Sequence, residues 1–385
     1  MVQQLETASS SDESVRWPRI DADAHVIETD HTWDFLQPSE SKFRPVQVAP
    51  EDNPRRTQWM IEGELRGPGN RPPARSWGMT VRPRAPELED VAARLEHMDE
   101  TGVDVQVMHN TLFGSSSMGK FRPEAEVALY RSWNRWVADA TAESNGRLRW
   151  SALVPVQTPD VAVSELEWAV QHGACSVFTP PVGAFGLLTN PQYYPVYEAA
   201  QRLNVPITVH VGNADRTLAD MFRPGLVPGA SPFTTVKIFV IACCHAVLNS
   251  GIQSTFPLLR WGFLEAGAGW VPHVLHDLAA RSAYGDNSGE SGAPVEISPT
   301  VLADNRVYAA YENYEDLDDI LKYAGEDNLV AATDYGHTGQ TAITDALQQL
   351  TERAERGEVD RRVIDKMLRK NPATLFGLED WEPAS

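Results

Sequence analysis

From Ile20 onward one motif recurs along the chain: a short run rich in β-branched residues, a loop, then an amphipathic helix. The strand-like runs fall at 19–24, 103–108, 150–154, 175–179, 205–210, 259–264, 307–311 and 329–333. Helical periodicity separates them. In VAARLEHMDETG at 91–102, Val91, Leu95 and Met98 recur at three- and four-residue steps, and Gly102 is placed to end the helix. PVYEAAQRLN at 195–204 is a second such helix. Strands that alternate with helices pair in parallel, and eight alternations suffice to close a (β/α)8 TIM barrel. An open doubly wound sheet is the competing α/β architecture, but no GxGxxG follows any of the runs. The expectation is one barrel domain over residues 17–385.

Two segments break the rhythm. Residues 37–88 are rich in Pro, Gly and Arg (RGPGNRPPARSW), and residues 212–235 have a similar character. They follow the first and fifth runs, so in a barrel they would be long loops capping the C-terminal face, where a site would lie. Residues 1–16 read as a disordered leader, 283–300 as a flexible surface loop, and 363–378 as a terminal helix packed on the barrel.

Composition narrows the function. A net charge of −20 argues against nucleic-acid binding and against anionic membrane surfaces. No apolar run approaches the ~20 residues that span a bilayer. The first residues lack the basic start and apolar centre of a secretory signal. Cys175, Cys243 and Cys244 lie in apolar segments, a reduced pattern that places the protein in the cytoplasm.

Barrels carry their chemistry at the C-terminal ends of the strands. Asp23 and His25 end the first run, two residues apart and so on one face. His109 ends the second run, His210 the fifth, Glu265 the sixth and Glu312 the seventh; Asp334 ends the eighth, with His337 just beyond. Each alone has a bland reading: His109 as a hydrogen-bonded structural histidine, Asp334 as a helix cap or turn residue, Glu28 as a supporting partner or an exposed acid. His245 reads as a buried, satisfied histidine, and His31, His97, His172, His273 and His276 as structural or solvated. Together, Asp23, His25, His210 and Asp334 form a nitrogen–oxygen set suited to one divalent ion per chain, with zinc favoured and manganese or iron as alternatives. Arg75, Arg82 and Arg223 on the capping loops are candidates to bind a substrate carboxylate, and Trp33, Trp77 and Phe113 to wall an unsaturated or aromatic group; surface and core are their plainer readings.

The stretches IDADAHVIETDHTW, RLEHMDETGVDVQV, RLRWSALVPVQTP, VPITVHVG, FPLLRWGFLEAGAGWVPHVL, NLVAATDYGH and KNPATLFGL resemble, in order, the amidohydrolase superfamily. The similarity is to the branch of aminocarboxymuconate-semialdehyde, resorcylate and carboxyvanillate decarboxylases. It implies metal ligands at Asp23, His25 and His210, and a ligand that also transfers protons at Asp334. Two departures stand out. The family's first-strand pair is His or Glu followed by His, and its sixth strand ends near a histidine where this chain has Glu265. ACSVFTPP has no lysine to carbamylate, so one metal is expected rather than two. The resemblance implies non-oxidative decarboxylation of an aromatic or unsaturated carboxylic acid. Glu265, with a raised pKa, would share proton transfer with Asp334 and His337. Hydrolysis of an amide, ester or lactone is the alternative, and a non-catalytic binding barrel a more distant one. A homodimer or larger homo-oligomer follows from the same resemblance.

Overall fold

The computed structural model describes residues 17–49, 51, 57–68, 81–115, 121–212, 236–284, 297–337 and 341–382. The leader at 1–16, most of the expected loops at 212–235 and 283–300, and Arg75, Trp77 and Arg223 lie outside them.

Eight parallel strands form the barrel: β1 (Ile20–Val26), β2 (Val105–Asn110), β3 (Leu148–Ala152), β4 (Ala174–Thr179), β5 (Ile207–His210), β6 (Trp261–Leu264), β7 (Val307–Tyr311) and β8 (Leu329–Ala331). They pair in chain order, each with the next. The ring closes just past β8, where the Asp334 amide donates to the Asp23 carbonyl (2.9 Å) and the His25 amide to the Tyr335 carbonyl (2.7 Å). Every strand–helix alternation read from the sequence is present, with boundaries moved by about two residues. The first of these helices, Val91–Thr101, starts where the Asp90 carboxylate accepts from the Ala93 amide and stops at Gly102.

The first long connection is more than a loop. Val46–Val48, Gln58–Ile61 and Glu64–Pro68 make a small antiparallel sheet. Strand alternation buries Trp59 and Ile61, and Trp59 packs edge-on against Trp33. The apolar alternation in QWMI is what the Pro/Gly-rich surroundings obscured.

Along its axis the barrel changes character. At the floor, Ile20, Val105 and Val330 pack with Ala373, Leu375 and Phe376 of the C-terminal helical segment. Gly262 of β6 leaves room for this plug, since a Cβ there would lie 3.2 Å from a Leu375 methyl. Higher up, Ser151, Ser176 and Thr208 link β3, β4 and β5 through their hydroxyls. Two residues beyond Thr208, β5 ends in His210, and the interior becomes ionisable.

Candidate metal centre

β1 does not keep a simple two-residue alternation. Its register against β2 slips between Asp21 and Ala24, a bulge that changes which side chains face inward. Asp21 pairs with Gln106 on the outer side, while Asp23 and His25 both reach the barrel mouth. The buried Asp21 carboxylate accepts from Gln106 Nε2 (3.2 Å), the Thr333 amide (2.9 Å) and Thr333 Oγ1 (2.5 Å), tying β1 to the exit of β8. Arg94, fully buried on the first helix, donates to Gln106 Oε1 (2.9 Å) and the His25 carbonyl (3.0 Å), with its guanidinium over the Tyr335 ring. Gly336 lets the β8 exit pass close to this point, since a Cβ there would lie 3.0 Å from the His25 carbonyl oxygen.

This frame gathers the side chains expected to be ligands. Asp23 Oδ1 lies 3.3 Å from His210 Nε2 and 3.5 Å from His25 Nε2. His25 Nε2 is 3.4 Å from Asp334 Oδ1, and His210 Nε2 is 3.4 Å from Glu265 Oε2. Candidate ligand atoms of Asp23, His25, His210 and Glu265 fall within 4.8 Å of one another, as do those of His25, Glu265, Asp334 and His337. His210 Nδ1 bonds the Val211 carbonyl (2.9 Å), which points Nε2 inward. His25 is oriented by the Asn110 backbone and by Thr111 Oγ1, 3.5 Å from Nδ1. Three buried atoms at the mouth, His25 Nε2, Glu265 Oε2 and Asp334 Oδ1, have no hydrogen-bond partner. Such orphaned groups are costly to bury, and a cation among them would satisfy all three. The donor set therefore fits a divalent ion.

The backbone at the site is strained as well. Glu265 and Asp334 adopt φ values of 55° and 52°, the left-handed region that side chains other than glycine seldom occupy. Glu265 directly follows the last residue of β6 and Asp334 lies three residues past the end of β8, so each unusual turn sits where the chain leaves the barrel wall.

Electrostatics set the charge states. Burial, helped by neighbouring imidazoles, holds His25 and His109 well below the usual histidine range, leaving them neutral. Burial pushes Asp23 up to about 7, and it raises Asp334 together with the Glu265 charge. Burial also opposes charge on His210, but the Asp23 carboxylate outweighs it and raises His210 to about 9. A metal taking His210 Nε2 would displace that proton. The expectation of a raised pKa for Glu265 is overturned. Burial does push it upward, but the nearby imidazole of His337, 3.7 Å away, together with the charges of His210 and Lys237, outweighs this and lowers it. His337 is raised by Asp334 (3.3 Å) against its burial, and it stacks on His25 with ring centroids 4.3 Å apart.

The remaining candidates divide. His109 is buried with Nε2 3.8 Å from Asp23 Oδ1 and its ring beside Phe178. Glu312 lines a pocket that also touches Asp23, Glu265 and Asp334. Arg82 instead binds Glu100 and Glu96 on the first helix, and Trp33 and Phe113 are buried against each other as core. His245 is half-buried and bonded to Asp277 (2.9 Å). Glu28 is buried and accepts from Trp133 Nε1 (2.9 Å) and the Thr111 and Leu112 amides, holding the loop that carries Thr111 to His25. Two functional neighbours escaped the sequence pattern. Thr341 donates to Asp334 Oδ2 (2.5 Å) and to Glu265 Oε1 (3.4 Å), and nothing in its local sequence marks it. Lys237 binds Glu312 on the pocket wall; the signal there was a single cation heading the otherwise apolar VKIFVIACCHAVL. Among the described residues no helix is long and apolar enough to cross a membrane, and all three cysteines are free and buried.

Comparison with known proteins agrees with this fold. A family model described as Amidohydrolase matches residues 20–378. Gamma-resorcylate decarboxylase of Rhodococcus jostii (strain RHA1) is 25% identical over 324 residues, covering 78% of this chain and 90% of that protein. Among solved structures, an amidohydrolase from Mycobacterium avium subsp. paratuberculosis K-10 superposes with a TM-score of 0.76 at 18% identity, over 94% of this chain and 99% of that one. A dihydroxybenzoic acid decarboxylase from Polaromonas sp. JS666, with bound manganese and the inhibitor 2-nitroresorcinol, gives a TM-score of 0.60 at 18% identity, over 94% and 98% of the two chains. At these identities the structural likeness is one of fold.

Proposed function

Because this chain belongs to the amidohydrolase family, whose model spans residues 20–378, we propose that it is a metal-dependent decarboxylase of aromatic carboxylic acids. The observation that carries the reading is the clustering at the barrel mouth of Asp23, His25 and His210 with Glu265, and of His25 and Glu265 with Asp334 and His337, around buried, unpartnered donor atoms. The curated decarboxylase relative, aligned over most of both chains, supports the choice of reaction. The same residues would hold a single divalent ion, and carboxylates and imidazoles without a thiolate suit manganese as well as zinc or iron. When bound, that ion supplies Lewis-acid charge for an anionic substrate.

The chain's own groups do the rest. The Asp334 carboxyl delivers its proton to the ring carbon bearing the carboxylate. The bond from that carbon to the carboxylate then breaks, its electron pair returns to the ring, and CO₂ leaves. Asp334 remains as a carboxylate and regains a proton from solvent. Thr341 fixes the carboxyl through Oδ2, so that Oδ1 faces the ligands. Proton transfer of this kind contributes roughly 10²–10⁴ in rate.

One feature favours hydrolysis as a second reading. Glu265 stands where the related decarboxylases carry a histidine, and a carboxylate there can accept a proton from attacking water. Labelling separates the two. Incubation of the metal-loaded protein with hydroxylated benzoic acids in D₂O should release CO₂ and place deuterium on the vacated carbon. Oxygen-18 from water entering an ester or lactone product, with no CO₂ from any acid, would instead establish the hydrolase.

A further inference from the structure

At the edge of the pocket, Lys237 forms a close ion pair with the pocket-lining Glu312. Lys237 Nζ lies 2.6 Å and 2.8 Å from the two Glu312 oxygens. Both side chains are largely buried, and Glu312 lines the pocket that reaches Asp23 and Asp334. A neutralised pair of this kind offers no net charge to a second carboxylate. It offers an ammonium donor beside a carboxylate acceptor, which matches a hydroxyl: the oxygen accepts from lysine and the proton goes to glutamate.

The protein itself displays that match. The phenol of Tyr314 accepts from Lys237 Nζ (3.0 Å) beside the Glu312 carboxylate that the same ammonium binds. Yet Tyr314 is 62% exposed, far more than the pair it covers. Little packing holds its ring in place, so another phenol could replace it at small cost.

We propose that Lys237 and Glu312 form a subsite for a phenolic hydroxyl of the substrate, and that Tyr314 occupies it until the substrate arrives. This rests on the reading of the pocket as an aromatic-acid site and adds which ring substituent it selects. Hydrogen bonds to charged partners are worth roughly tenfold or more in affinity when desolvated. Hydroxylated rings should therefore bind better than unsubstituted ones, and the preference should depend on the pair.

The test uses the full-length, metal-loaded protein and titration calorimetry with benzoate, its three monohydroxy isomers, and the neutral diol resorcinol. In the wild type the best hydroxybenzoate should bind about tenfold more tightly than benzoate. In Lys237→Met/Glu312→Gln, which removes both charges together and leaves no unpaired ion, that ratio should fall towards one. Tyr314→Phe, a surface change expected to fold, should tighten resorcinol several-fold by removing the internal competitor. A ratio that survives the double variant, resorcinol that binds no better to Tyr314→Phe, or resorcinol that does not bind at all would each overturn the subsite. Decarboxylation assayed in parallel keeps the two claims apart. CO₂ release with an unchanged ratio sinks only the subsite, whereas pair-dependent resorcinol binding without CO₂ from any acid sinks only the decarboxylase.

Discussion

At the floor of the barrel Leu375 seats against Gly262, and apolar side chains from β1, β2 and β8 close around it. At the mouth, some residues further along the same strands, carboxylates and imidazoles crowd together with several of their atoms unpartnered and two of their backbones in left-handed geometry. One scaffold thus holds two regions built for different ends. The floor lowers the energy of the fold, while the mouth raises it and is tolerable only because the rest of the barrel is stable. The difference separates what a mutation should do at each end: activity at the mouth, stability at the floor.

The largest effect is expected at the mouth. Asp334→Asn should lower turnover by about 10²–10⁴-fold, measured as CO₂ release, because it removes the carboxyl proposed to transfer the proton. Its melting temperature should stay close to that of the wild type, since the substitution also removes a buried carboxylate facing Glu265. At the floor the pattern should invert. Leu375→Ala should cost about 2–5 kcal/mol of unfolding free energy by chemical denaturation, while turnover per folded molecule persists. A floor variant that loses turnover without losing stability would break the division.

Buried carboxylates away from both regions sharpen it. Glu126 is buried on the helix after β2, accepting from the Gln157 amide (3.3 Å), and burial pushes it up to about 7 from an ordinary 4.5. A raised folded-state value means that its contribution is fully present below about pH 4.5 and is lost as pH rises through 7. Over that window the loss is on the order of 3 kcal/mol. Glu126→Gln should flatten that slope and raise stability at pH 8, read from denaturation at several pH values. The smallest expected effect belongs to Asp21, which shares a strand with the proposed ligands Asp23 and His25 but faces the other way. Asp21→Ala should cost roughly 1–3 kcal/mol by stranding the Thr333 and Gln106 donors, yet metal content should remain near one ion per chain. Asp23→Ala should do the reverse.

That pair also marks the limit of what could be read from the sequence. Eight β-branched runs separated by 3.6-residue periodicity revealed the barrel, because burial on both faces leaves no other sequence for parallel strands. The strand-end acids and imidazoles pointed to the mouth, since taken together they are hard to explain as packing. Strict alternation, however, would place Asp21, Asp23 and His25 on one face. Only the bulge, a consequence of pairing with β2, sends Asp21 outward. Thr341 reaches Asp334 through the fold of its loop and Lys237 meets Glu312 across 75 residues, contacts that no local spacing encodes. Arg82 looked available for substrate, but the first helix offered it two glutamates.

Everything at the mouth depends on the ligand atoms enclosing a cation. The most direct measurement is a crystal structure of the protein equilibrated with manganese, with anomalous differences collected on either side of the manganese edge. One strong peak within bonding distance of Asp23, His25, His210 and Asp334 is the expected result. No peak there, at full manganese saturation of the crystal, would contradict it.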